Sequence, residues 1–123
     1  MSALQLTAVL LFLLGLAHSV LGERFILIRL FRRDNLPKLF GGTDFTTRTL
    51  RFAWHITTVT WWALAVMLWH LDGGVADARF LLRTIGLALL AAGALPLLLT
   101  RGRHLSWIVL WLVGAVALLQ AAR

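Results

Sequence analysis

Three histidines and one carboxylate, His18, His55, His104 and Glu23, are the residues of this chain best suited to chemistry. His18 lies six residues before Arg24, and His55 lies four after Arg51. At 1.5 Å per helical residue they sit about 9 Å and about 6 Å inside those charged boundaries. His104 opens one apolar stretch and Glu23 closes another. Neutral imidazole and carboxylate suit a transition metal, and four such ligands complete a tetrahedral site. His18 and His55 alone could instead be the axial ligands of haem b held between facing helices. Trp62, seven residues from Trp69, offers a flat wall for such a group, and Arg51 a cation for its propionate. The competing reading is structural: histidines near a membrane boundary hydrogen-bond carbonyls or headgroups, and tryptophans gather there because the ring is amphipathic.

Apolar stretches must position these groups. The chain has 123 residues, 60% of them hydrophobic and 14% charged, where a soluble domain carries about 25% charged residues. Such a chain cannot cover its apolar surface with polar groups, so a globular cytosolic enzyme, a disordered chain and a disulfide scaffold are excluded. The absence of cysteine leaves the redox compartment unread. Crossing a bilayer takes about 20 apolar residues in a helix. Four stretches qualify, at 3–22, 52–71, 80–100 and 104–122. The expected fold is an all-α membrane protein, a single domain over residues 1–123 built as a four-transmembrane-helix bundle. The first stretch lacks the basic n-region of a signal peptide and is expected to be retained.

Lys and Arg fix the expected orientation, since cytoplasmic loops retain them. The connection 23–51 holds seven of them, Arg101 and Arg103 add two, and Arg79, Arg83 and Arg123 fall on the opposite side. Nine against three puts both termini outside the cytoplasm of a bacterial-type inner membrane, with the basic face on anionic lipids. Topology then brings His18, Glu23, His55 and His104 to one layer. Within the connection, Arg24, Arg29, Arg32 and Arg33 fall on one half of a helical wheel, and Ile26, Leu27, Leu30 and Phe31 on the other. That pattern predicts a cytoplasmic interfacial amphipathic helix between spans 1 and 2, ended by Asn35-Leu36-Pro37. Gly41-Gly42 is expected to be a flexible joint, and Thr43 or Asp44 to cap the second span.

Several chemistries are excluded. There is no phosphate-cradling glycine loop, no nucleophile elbow and no cysteine nucleophile. Ser19 beside His18 and Ser106 near His104 make poor nucleophile and base pairs, because adjacent helical residues point in different directions. No basic patch with interleaved aromatics suggests nucleic acid. In size and four-span layout the chain resembles the small multidrug exporters and the small fluoride channels. The exporters place a carboxylate in the middle of the first span, where this chain has only Gln5 and Thr7 near the outer end, so no site residue carries over. The stretches His18-Ser-Val-Leu-Gly-Glu-Arg24 and Arg51-Phe-Ala-Trp-His55 resemble small bacterial membrane proteins. The functional expectation is a metal or haem protein with a redox, metal-handling or assembly role. The alternative is a non-catalytic transport component or accessory subunit, as a homo-oligomer or within a larger membrane complex.

Overall fold

The computed structural model describes residues 1–75 and 77–123, and every extended element among them is helical. Four helices follow in order: α1 (Ala3–Leu30), α2 (Asp44–Leu71), α3 (Ala78–Leu99) and α4 (Ser106–Ala121). The first three are long and apolar enough to cross a membrane, as a multi-pass membrane protein requires. At 16 residues α4 is about 24 Å long, shorter than a hydrocarbon core of about 30 Å. Outward faces carry exposed leucines throughout, Leu10, Leu87 and Leu119 among them. They suit lipid rather than water.

Helix ends are set by hydrogen bonding rather than by hydropathy. Ser2 and Gln5 form a capping box: the Ser2 hydroxyl accepts from the Gln5 N–H at 3.1 Å, and the Gln5 side chain accepts from the Ser2 N–H at 3.2 Å. At the other end α1 passes the charged boundary at Glu23 and Arg24 and continues to Leu30, with a π-helical turn over Gly22–Leu27. The expected interfacial helix is therefore not a separate element; residues 24–30 of it are the end of α1. The joint expected at Gly41-Gly42 is a tight turn, with paired backbones at Leu39 and Gly42 and positive φ at Phe40 (55°) and Gly41 (89°). Thr43 precedes α2 without a side-chain cap. Asp44 instead pairs with Arg48 at 2.8 Å, and Arg48 donates to the Leu99 carbonyl at 2.9 Å, tying α2 to the end of α3.

Of the connection from Asp72 to Asp77, Ala76 lies outside the described residues. Asp77 caps α3 by accepting from the Phe80 N–H. Asp77→Ala should cost about 1 kcal/mol, read as a lowered thermal midpoint of the detergent-solubilised protein.

The helices pack in chain order. Close backbone approach joins α1 to α2, α2 to α3 and α3 to α4, and no other pair of helices among the described residues. Instead of one shared core there are three seams, each lined by small residues. Ala8, Gly15 and Gly22 are buried on α1, Gly86, Ala92 and Gly93 on α3, and Gly114, Ala117 and Ala121 on α4. In lipid no hydrophobic force drives helices together, so close packing and interhelical hydrogen bonds must do it. Gly86 and Gly114 show how close: a Cβ built on Gly86 would lie 2.9 Å from the Gly114 carbonyl oxygen.

Candidate functional site

The seam between α1 and α2 carries most of the polar chemistry. On α1, Gly15, Ser19 and Glu23 recur every fourth residue and so share one face. On α2, Arg51, His55 and Thr58 form the matching face, and antiparallel packing sets the two stripes against each other. Arg51 grips Glu23 with two donors, Nη2 to Oε1 at 2.8 Å and Nε to Oε2 at 3.2 Å. His55 Nε2 lies 3.2 Å from Glu23 Oε2, and His55 Nδ1 lies 2.8 Å from the Ser19 hydroxyl. Ser19 and Thr58 share a hydrogen bond at 2.7 Å, and Thr58 donates to the Gly15 carbonyl at 3.1 Å. Five side chains thus form one unbroken chain from Arg51, whose guanidinium also lies over the Phe31 ring, to the backbone of Gly15.

Burial deepens along this chain. The Arg51 and Glu23 side chains are 35% and 29% exposed and His55 is 23% exposed, whereas Thr58 is only 4% exposed. The chain is open at its charged end and closed at its hydroxyl end. From Glu23 to Gly15 it covers eight residues, or about 12 Å. Farther along the same seam lies an apolar groove of about 270 Å³, lined by Ala8, Val9, Phe12, Ala65, Val66 and Trp69.

Two tryptophans of α2 clamp the stripe at both ends by the same device. Each lies over a glycine of α1 and donates its indole N–H to a carbonyl one turn earlier: Trp54 over Gly22 to the His18 carbonyl at 3.0 Å, Trp62 over Gly15 to the Phe12 carbonyl at 3.1 Å. Only glycine leaves room, since a Cβ at Gly22 would fall 2.2 Å from Trp54 Nε1. The Trp62 ring stacks on Phe12 at 5.0 Å between centroids.

No protein-family model matches the chain, and no curated protein or solved structure matches it either. The reading of the site therefore rests on its geometry.

Of the residues singled out from sequence, Glu23, His55 and Arg51 are brought together. His18 lies alongside but is engaged elsewhere: its ring is stacked flat on Trp54 at 4.4 Å, and Nε2 lies 3.3 Å from the Trp54 carbonyl. His104 is not part of this seam. It packs on Phe45 and Phe52 of α2, and its Nδ1 lies 2.8 Å from the Ser106 hydroxyl. The physical reason is the packing order, because α4 makes no close approach to α1. Among the described residues no three His, Cys, Asp or Glu side chains converge as a metal-binding group. Ser19 and Thr58 belong to the site although neither stood out as a partner of His55. The fourfold spacing of Gly15, Ser19 and Glu23 was the signal that could have found them.

Proposed function

We propose that this chain is a non-catalytic accessory component of a larger complex in a bacterial-type inner membrane, and that the Glu23–His55–Ser19–Thr58 chain is its working part. Its role is to take up and hold a proton from the basic, cytoplasmic face. Anionic lipids cover that face, and both termini lie on the other side. The observation that carries this reading is the dead end at Gly15. An ionisable pair inside a membrane protein marks a proton or ion site by default, but here the hydrogen-bonded chain stops on a backbone carbonyl about 12 Å inside Glu23. Farther along, the seam is lined by Ala8, Val9, Phe12, Ala65, Val66 and Trp69, which offer a proton no side-chain carrier, and this supports a site that stores a proton over one that passes it across.

The test pairs two measurements. In liposomes holding a pH-sensitive dye, the purified chain should give no voltage-driven proton entry above the protein-free background. Extracted from its native membrane in mild detergent, it should migrate in an assembly larger than the purified chain forms alone. Proton entry abolished by His55→Gln would replace the accessory role with a conducting one. Absorbance and elemental analysis of the same preparation address the transition-metal or haem expectation. A stoichiometric metal or chromophore, lost in His55→Ala, would overturn the proton reading.

A further inference from the structure

The start of α2 meets the turn after α3 at a corner that the Glu23–His55 chain does not use. Arg48 of α2 donates to the Leu99 carbonyl, and the His104 ring packs on Phe45 and Phe52, so the turn between α3 and α4 lies against α2. Phe40 meets Phe45 edge-on at 5.0 Å between centroids, which brings the tip of the turn before α2 to the same corner. That turn is pinned by the paired backbones of Leu39 and Gly42 and by the Thr46 hydroxyl, which donates to the Pro37 carbonyl at 2.8 Å. Phe40 and Arg103 line a cavity of about 420 Å³. A second hollow of about 210 Å³ lies beside the same turn, among Pro37, Leu39, Phe45 and Leu50.

Two features set this corner apart. Phe40 (φ 55°) and Arg101 (φ 54°) are the only non-glycine residues among the described residues with positive φ, a region that strains bulky side chains. Burial accounts for neither, since Phe40 is 82% exposed and Arg101 is exposed as well. Strained backbone of this kind gathers at ligand clamps and switch regions. The second feature is charge. Residues 38–48 and 99–104 carry Lys38, Arg48, Arg101 and Arg103 against one carboxylate, Asp44, which is already paired with Arg48. Arg101 and Arg103 form no ion pair among the described residues.

We infer that this corner is a binding site for one anionic phospholipid, its phosphate held by Arg103 and Arg101 and its acyl chains against Phe40 and Leu39. Guanidinium groups suit phosphate because their forked donors engage two oxygens at once. The exposed Leu39 and Phe40 beside them supply the apolar surface that a free phosphate would leave bare. Other arginines of the basic face are placed elsewhere: Arg51 is held by Glu23, and Arg24 and Arg29 lie over the Phe25 ring. The inference rests on the basic face meeting anionic lipid, as in the proposed function, but on no residue of the Glu23–His55 chain.

Native mass spectrometry of the delipidated chain in neutral mixed micelles counts the lipids it retains. Wild type should hold one phosphatidylglycerol at least about tenfold more tightly than phosphatidylcholine. Arg101→Asn with Arg103→Gln should remove that preference, asparagine being chosen because it enters the left-handed region readily. Arg24→Gln with Arg29→Gln removes the same two charges and should leave the preference within about twofold, since exposed charges away from the site are screened. Phe40→Asn should weaken phosphatidylglycerol binding by at least about threefold through lost apolar contact, without lowering the thermal midpoint of the lipid-free protein. Equal weakening in the two arginine pairs would overturn the inference, because the attraction would then belong to the whole basic face. Displacement of phosphatidylglycerol by an equal concentration of inorganic phosphate would overturn it too, by making the free anion the ligand. None of these readouts involves His55, a partner or proton entry into liposomes, so the proton-holding accessory role can fail while this inference holds, and the reverse.

Discussion

Gly22→Ala should destabilise the protein by about 2–4 kcal/mol, although the same change in an ordinary helix interior gains about 1 kcal/mol. The added Cβ would lie 2.2, 2.5 and 2.6 Å from Nε1, Cε2 and Cζ2 of Trp54. An indole is rigid and cannot yield as the end of a flexible chain does. Its displacement breaks the hydrogen bond to the His18 carbonyl and the flat stacking on the His18 ring. Unfolding in a mixed-detergent titration measures the loss. Gly42→Ala is the internal control, because a Cβ there meets nothing within 4 Å; its midpoint should move by less than about 0.5 kcal/mol. Pairing Gly22→Ala with Trp54→Ala separates steric conflict from lost propensity. The double variant should be less destabilised than the sum of the singles, whereas additive losses would show that the glycine does not seat the ring.

How much of this was legible in the sequence differs between element and site. The apolar centres of the helices follow from hydropathy, because lipid tolerates few charges along a span. Their ends do not. Hydropathy stops at Glu23, whereas α1 continues to Leu30, since a helix ends where its backbone hydrogen bonds end and a charge at the boundary does not break them. The fourth stretch starts later than expected. Arg101 and Gly102 adopt φ of 54° and 76°, and the His104 N–H is taken by the Thr100 hydroxyl, so α4 begins at Ser106. Depth alone was enough to group Glu23 with His55. It wrongly suggested that His104 joins them, because depth says nothing about which helices are neighbours. Sequence sets Ser19 beside His18, but its partners His55 and Thr58 are on the facing helix. Interhelical partners become legible only when stripes on two helices are compared, Gly15, Ser19 and Glu23 against Arg51, His55 and Thr58.

Glu23→Ala should cost about 2–3 kcal/mol of stability. The carboxylate is the one acidic group of this hydrogen-bonded stripe, and without it the Arg51 guanidinium loses its ion-pair partner in a half-buried seam and His55 Nε2 loses the oxygen it faces. Removing one partner of a fully buried ion pair costs more, about 3–5 kcal/mol. Here 29% of the Glu23 side chain and 35% of Arg51 remain reachable by solvent, which softens the penalty. A detergent unfolding titration measures the loss. Arg51→Met should cost less than Glu23→Ala, since it leaves the carboxylate still paired with His55 at 3.2 Å. The decisive variant replaces all three groups, Glu23→Leu with Arg51→Met and His55→Leu. If the polar stripe existed only to hold α1 against α2, well-packed apolar residues of similar volume would do so equally well and the complex would still assemble and work. On the proton reading, the triple variant recovers most of the stability lost in Glu23→Ala but no function. Such an outcome would make stability and proton load separable properties of the same seam, with the glycine and tryptophan contacts holding the helices together and the Glu23–His55 pair needed for the proposed proton uptake.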